Sequence, residues 1–169
     1  GGRLIAQHTN QGYADNATWS RGQAWAVHGF SMAYRATSDQ RFLDTAREVA
    51  DYFIDHLPAD RVPYWDFALS GQAGEPRDSS AAAIAASGLM DLSSLEPDVD
   101  RADRYRDTAG EILAALSGPS YLASDTPRGA VLRHGTQNKP GGSADTGLVF
   151  GDYYYLEALL RYVQGTGSL

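Results

Sequence analysis

Apolar residues recur at helical spacing in five stretches of the chain. The plainest runs from about Gln40 to His56, where Phe42, Ala46, Val49, Ala50, Phe53, Ile54 and Leu57 form one stripe. Arg41, Asp44, Arg47, Glu48, Asp51 and Asp55 occupy the opposite face, so one side of this helix stays in water. A second helix of this type is expected from about Val99 to Leu116, with Arg101, Asp103, Arg104, Arg106 and Asp107 outside and Ile112, Leu113 and Leu116 inside. Between the two, DSSAAAIAASGLMDLSSL from Asp78 is almost uniformly small and apolar. That composition predicts a helix buried all round, with Asp78 and Ser79 placed as N-caps and Pro97 closing the segment. Two more apolar helices are expected. One runs from about Ser20 to Thr37, with Trp25, Phe30, Ala33 and Tyr34 near i, i+4 spacing; the other lies in GDYYYLEALLRYV, capped by Asp152 and released at Gly165.

The order is therefore buried, amphipathic, buried, amphipathic, buried. Inner helices that line a ring and outer helices that wrap it give this alternation, and the fold class it predicts is all-α. The inner helices begin near residues 19, 79 and 152. The connections that lead into them, 58–77 and 118–151, are long and rich in Pro, Gly, aromatic and polar residues, as a functional rim is. All three inner N-termini would meet at one mouth, where helix ends favour anions.

Composition narrows the partners. The 169 residues are 43% hydrophobic, enough for one sizeable core, and the formal net charge of −7 without any run of like charges argues against nucleic acid or an anionic membrane surface. Cysteine is absent, which removes disulfides, thiol nucleophiles and cysteine-type zinc sites. The histidines at 8, 28, 56 and 134 lack metal-ligand spacing, so neither a metal nor another cofactor is expected. No stretch of about eighteen apolar residues is present, and the first residues have no signal-peptide core.

One stretch is odd for a core helix: TWSRGQAW, residues 18–25, crowds two tryptophans, an arginine and a glutamine into its first turns. Indole faces suit C–H-rich sugar rings, and an arginine fork suits a carboxylate or sulfate. The structural alternative makes Trp25 core, Trp19 a hydrophobic staple and Arg21 a solvated first-turn residue.

The strings QGYADNATWSRGQAW, FLDTAREVADYFIDHLP, VPYWDF, DSSAAAIAASGL, LRHGTQNKP and FGDYYYLEALLR, in this order and over nearly the whole chain, resemble the C-terminal part of unsaturated glucuronyl hydrolases, glycoside hydrolase family 88. The related unsaturated rhamnogalacturonyl hydrolases resemble W-G-R-G-N-G-W at the first of these places, so Gln23 and Ala24 favour the glucuronyl side. The resemblance implies part of an (α/α)6 barrel of the six-hairpin glycosidase type. About two and a half helical pairs are present, and residues 1–169 would be one partial domain, the C-terminal portion of the catalytic domain. The implied reaction removes a Δ4,5-unsaturated uronic acid from the non-reducing end of lyase-generated oligosaccharides by hydrating its vinyl ether.

In that family the two prominent active-site aspartates belong to the N-terminal half and no residue here matches their motifs, so no catalytic residue is expected in this chain. A two-carboxylate glycosidase geometry is not to be forced on Asp15, Asp66 or Asp152. The positions that match the family's sugar pocket are Gln11, Trp19, Arg21 and Trp25, with His134 in a matching HGT context as a further contact. Trp65 is read either as a stacking surface or as a plug, and Phe150 stands where the family often carries Trp. The implied partner is an unsaturated uronyl oligosaccharide, with self-association possible through exposed barrel edges and a cytoplasmic or periplasmic setting. The alternatives are a non-catalytic carbohydrate-binding or helical interaction module that retains only the pocket wall, and an unsaturated rhamnogalacturonyl hydrolase.

Overall fold

The computed structural model describes residues 2–123 and 129–165. Five helices form: α1 (Ser20–Thr37), α2 (Gln40–Asp55), α3 (Ser79–Ser93), α4 (Val99–Leu116) and α5 (Val149–Gly165), with a single 3₁₀ turn at Phe67–Leu69. Local chemistry sets most of their starts. Asp39, Asp78 and Asp98 each accept a backbone N–H of the first turn that follows, at Arg41, at Ser80 and Ala81, and at Arg101. Ser38, left-handed at φ 56°, closes α1 by donating its N–H to the Tyr34 carbonyl and hands the chain to α2.

Helix α3 is the spine. Every residue from Ser79 to Leu92 is buried, and α1, α4 and α5 all pack on it. Its fully buried Ile84, Leu89 and Leu92 each contribute about 1.5–3 kcal/mol of burial. Its small residues let neighbours come close: a Cβ on Gly88 would lie 2.9 Å from the backbone nitrogen of His28, so only glycine fits where α1 crosses.

The three inner helices run parallel. Arg21 at the start of α1 pairs with Asp78 at the start of α3 (2.8 Å), while Arg35 near the end of α1 pairs with Asp91 near the end of α3 (2.5 Å). Gly151 at the start of α5 meets Ser80, and Arg161 near its end donates to the Ser87 carbonyl (3.0 Å). Helix α2 returns antiparallel along α1, with Gln23 Nε2 donating to the Val49 carbonyl (3.1 Å) and Phe30 stacked on Phe42. The outer helices α2 and α4 are joined by Arg104 to Asp51 and Asp55, and Arg47 of α2 reaches Glu96 in the connection before α4 (2.7 Å). The result is an arc of helical hairpins with all inner N-termini at one end.

The spans of α1, α3 and α4 agree with those read from the pattern, and three details do not. The buried face of α1 is Ala24, Val27, His28 and Ser31, one position off the expected Trp25, Phe30, Ala33 and Tyr34, because the close crossing at Gly88 selects the small residues. Helix α5 is not buried all round: only Gly151, Tyr155 and Ala158 are, and Val149, Tyr153, Leu156 and Leu160 are more than half exposed. Asp152 is not the cap of α5, which begins three residues earlier. Its carboxylate instead accepts the backbone N–H groups of Val131 (3.1 Å) and Leu132 (2.9 Å) and moors the preceding loop. No helix among the described residues is long and apolar enough to cross a membrane.

His28 is only 7% exposed, its Nδ1 has no hydrogen-bond partner, and its ring meets the edge of Tyr154 at 5.1 Å. Burial pulls its pKa below the ordinary value, while Glu157 and Asp91 oppose the shift and Arg161 adds to it. The unfolded chain therefore binds this proton first, near the ordinary histidine value of about 6.5. Stability from a neutral His28 is present above that range and is lost as pH falls. The melting temperature should drop between about pH 7 and pH 5, and His28→Gln should flatten the drop. An unchanged pH slope in His28→Gln would show that other groups set it.

Candidate functional site

The inner N-termini converge on one buried ion pair. Asp78 is fully buried and Arg21 is 3% exposed. One Asp78 oxygen accepts Arg21 Nη1; the other accepts the Ser80 hydroxyl and the backbone N–H groups of Ser80, Ala81 and Thr136. The same Nη1 also donates to the Thr136 carbonyl, and Nη2 donates to the carbonyl of Gln137. Thr136 also donates its hydroxyl to the Arg77 carbonyl (2.8 Å), and the Ser79 N–H bonds the His134 carbonyl (3.0 Å). One carboxylate and one guanidinium thus fasten the starts of α1 and α3 to the 134–137 loop. Burial pushes the Asp78 carboxyl upward and the Arg21 guanidinium downward, and their mutual attraction opposes both shifts.

The WSRGQAW stretch can be read letter by letter against this geometry. Trp19 is half-buried and lies under the Arg21 guanidinium, 4.8 Å from it, while Phe150 covers it from the other helix at 5.3 Å. Gly22 is required because a Cβ there would meet the Trp19 ring at 2.8 Å. The Ser20 hydroxyl donates to the Trp65 carbonyl (3.1 Å), Gln23 ties α1 to α2, and Ala24 enters the core against α3. Trp25 is half-buried, edge-on to Tyr154 at 5.1 Å.

Arg21 is neither solvated nor open. The fork that would hold a uronate is engaged by Asp78 and two loop carbonyls, so the arginine shapes the mouth through the loop it holds. Gln11 is half-buried beside Gly12 and Tyr13, on a segment moored where the Tyr13 N–H meets the buried Asp66 carboxylate (2.9 Å). Trp65 is 3% exposed and donates its Nε1 to Glu75 (2.8 Å), which makes it a plug of the rim. His134 stands apart from the tryptophans, in a cleft between residues 74–77 and 139–145, with Nδ1 against Asp145.

The three aspartates set aside as a carboxylate pair have structural duties. Asp66 accepts the N–H groups of Tyr13 and Ala68 (2.9 and 3.0 Å), and Asp152 moors the 131–132 backbone. Exposed Asp15 is held below the usual carboxylate range by the Thr9 N–H and by His8. Among the described residues no group of three or more His, Asp or Glu could hold a metal ion. The role of Asp78 beyond capping, and the participation of Thr136 and Gln137, carry no sequence signal, since the partners lie 57 to 116 positions apart.

An arc of hairpins with parallel inner helices and an aromatic, arginine-bearing mouth is a partial (α/α)6 barrel of the glycosidase type. The chain is similar over nearly its whole length to unsaturated glucuronyl hydrolases, and it matches the C-terminal part of those proteins. It is 41% identical over 164 residues to the unsaturated glucuronyl hydrolase of Formosa agariphila, a match that covers 95% of this chain and 40% of that protein. It is 40% identical over 158 residues to the unsaturated chondroitin disaccharide hydrolase of Streptococcus pneumoniae, covering 91% and 39%. The crystal structure of the Bacillus sp. GL1 unsaturated glucuronyl hydrolase superposes with a TM-score of 0.90 at 40% identity, over 97% of this chain and 44% of that one. The chain therefore spans less than half the length of these relatives. A comparison with models of protein families finds no match.

Removing one member of the Arg21–Asp78 pair leaves an uncompensated buried charge, so Arg21→Met or Asp78→Asn should each cost about 3–5 kcal/mol in denaturant unfolding. The double substitution should cost clearly less than the sum. Additive losses would mean that the two groups are not coupled.

Proposed function

We propose that residues 1–169 form one partial domain, the C-terminal share of a glycosidase that removes a Δ4,5-unsaturated uronic acid from lyase-generated oligosaccharides. The observation that carries this reading is the mouth itself: Trp19 and Trp25, each half-buried, stand at the inner helix start that the buried Arg21–Asp78 pair locks to the loop. A carboxylic acid delivers a proton to C4 of the vinyl ether, and water adds at C5 and gives up its own proton. The resulting hemiketal opens and releases the remaining sugar with its hydroxyl. Trp19, Trp25 and Gln11 serve as wall and hydrogen-bonding contact for the flat uronate, and Arg21 is a positioning residue. The proton donor lies outside this chain, because the buried Asp66 and Asp78 and the half-buried Asp152 are committed to caps, loops and Arg21.

The unpartnered face of α5 supports a further part of this reading. Val149, Tyr153, Leu156 and Leu160 follow the four-three-four spacing of a coiled-coil seam, and Met32 is exposed on α1 at the other flank of the arc. Alone, the chain associates with itself through these faces.

Two measurements test the proposal. The purified chain should leave the ultraviolet absorbance of an unsaturated uronyl disaccharide unchanged, and steady turnover would overturn the placement of the acid outside it. Light scattering should show concentration-dependent association that Leu156→Gln with Leu160→Gln relieves. A monomer at all concentrations would mean that the arc is stable with its flanks bare.

A further inference from the structure

A cleft of about 580 Å³ opens at the end of the arc opposite the mouth, where α1, α3 and α5 finish and α4 begins. Three guanidinium groups line it from three helices: Arg35 from α1, Arg106 from α4 and Arg161 from α5. Met90 and Ala102 add apolar surface, and one carboxylate, Asp91 of α3, lies in its wall. At about 1.5 Å per helical residue, Arg35 stands about 21 Å along α1 from Arg21. No small ligand held at the mouth reaches this cleft.

A gathering of arginines in a protein of formal net charge −7 calls for a reason. Arginines near helix ends commonly answer the last carbonyls of the helix. These do not. Arg35 Nη2 donates to the Asp91 carboxylate (2.5 Å) and to the Ser94 hydroxyl (3.1 Å). Arg161 donates to the Ser87 carbonyl in the middle of α3 (3.0 Å), with Glu157 at 3.3 Å and Asp91 at 3.5 Å. Arg106 pairs through Nη2 with Asp103, one turn earlier on its own helix.

Each guanidinium carries five N–H donors, and most of them are idle. Among the described residues, Nε and Nη1 of Arg35 and of Arg106, and Nε of Arg161, meet no acceptor. Buried Asp91 meets both Arg35 and Arg161 through the same oxygen, so one carboxylate aims two forks. The pairs of Arg106 with Asp103 and of Arg161 with Glu157 are local and solvent-exposed, and pairs of that kind are weak. Their forks are free to turn to a stronger acceptor.

Three forks around one carboxylate match a tetrahedral oxyanion with two negative charges, whose oxygens can be shared among several bidentate donors. A ligand carboxylate would answer one fork and leave two. The cleft is also roomier than a bare oxyanion needs, and Met90 and Ala102 offer contact to a carbon group attached to it. We infer that this cleft is an anion site, separate from the mouth, for a small phosphate or sulfate monoester. Arg106 and Arg161 grip the oxyanion, Arg35 completes the charge, and Asp91 is the positioning residue that holds Arg35 and Arg161 in place. A ligand here ties the ends of α1, α3 and α5 to the start of α4, so its binding stabilises the fold.

The test is calorimetric titration of the purified chain with inorganic phosphate, inorganic sulfate and glucose 6-phosphate, at an ionic strength held constant with sodium chloride. All three should bind saturably and raise the melting temperature, and glucose 6-phosphate should bind most tightly. Arg106→Gln, at an exposed position of an outer helix, should weaken each ligand about tenfold without changing the melting temperature of the free chain. Arg35→Lys, which keeps the charge and loses the fork, should act in the same direction by less. Arg104→Gln removes the same charge from the same helix, on the face that meets α2, and should leave binding unchanged. Either order of phosphate and sulfate supports the site and tells which ester it prefers. Equal weakening by Arg104→Gln and Arg106→Gln overturns it, because overall charge alone would then govern binding. No saturable binding by the wild-type chain, or binding that survives Arg106→Gln, overturns it as well. Glucose 6-phosphate binding no tighter than phosphate overturns the ester.

Discussion

A single buried ion pair organises the end of this molecule where chemistry is expected. Two charges removed from water are stable only if they are answered by hydrogen-bonding partners, and Arg21 and Asp78 are answered by one another and by six groups drawn from two segments. That requirement makes the mouth rigid. The starts of α1 and α3 and the 134–137 loop cannot move independently without exposing an unpaired charge to a low-dielectric interior.

The same demand for close approach runs down the spine of the arc. Helix α3 carries Ala81 to Ala83, Ala85, Ala86 and Gly88 in contact with the core, so neighbouring backbones come near enough for Gly88 to touch α1 and for Ser80 to touch Gly151. Parallel inner helices then follow from geometry. A small-residue face lets α1 and α5 lie along α3 with their polar ends in register, and Asp91 with Arg35 and Arg161 closes the far end as Asp78 closes the mouth. The charged faces of the outer helices meet through Arg104 with Asp51 and Asp55, and Tyr52 of α2 donates its hydroxyl to Thr18 beside the mouth.

Tight pairing at the spine contrasts with the flanks. Helices α1 and α5 have the composition of inner helices, yet among the described residues each has one face packed and another bare. The apolar seam on α5 is therefore evidence of what an inner helix of such a ring normally touches.

The sequence by itself determined the helices, their alternation, the caps at Asp39, Asp78 and Asp98 and the wet faces of α2 and α4, because these depend on residues within a few positions of one another. It also marked Trp19, Arg21 and Trp25 as belonging to a mouth. Only the tertiary structure decided what those residues do. Whether Arg21 meets water, a ligand or Asp78 depends on a partner 57 positions away, and whether α1 buries Trp25 or Val27 depends on the glycine of another helix. The mooring role of Asp152 and the orientation of His134 by Asp145 are of the same kind. A local pattern fixes which way a helix can face, and long-range packing, with its refusal to leave buried charges and donors unanswered, chooses among the faces and partners that the pattern allows.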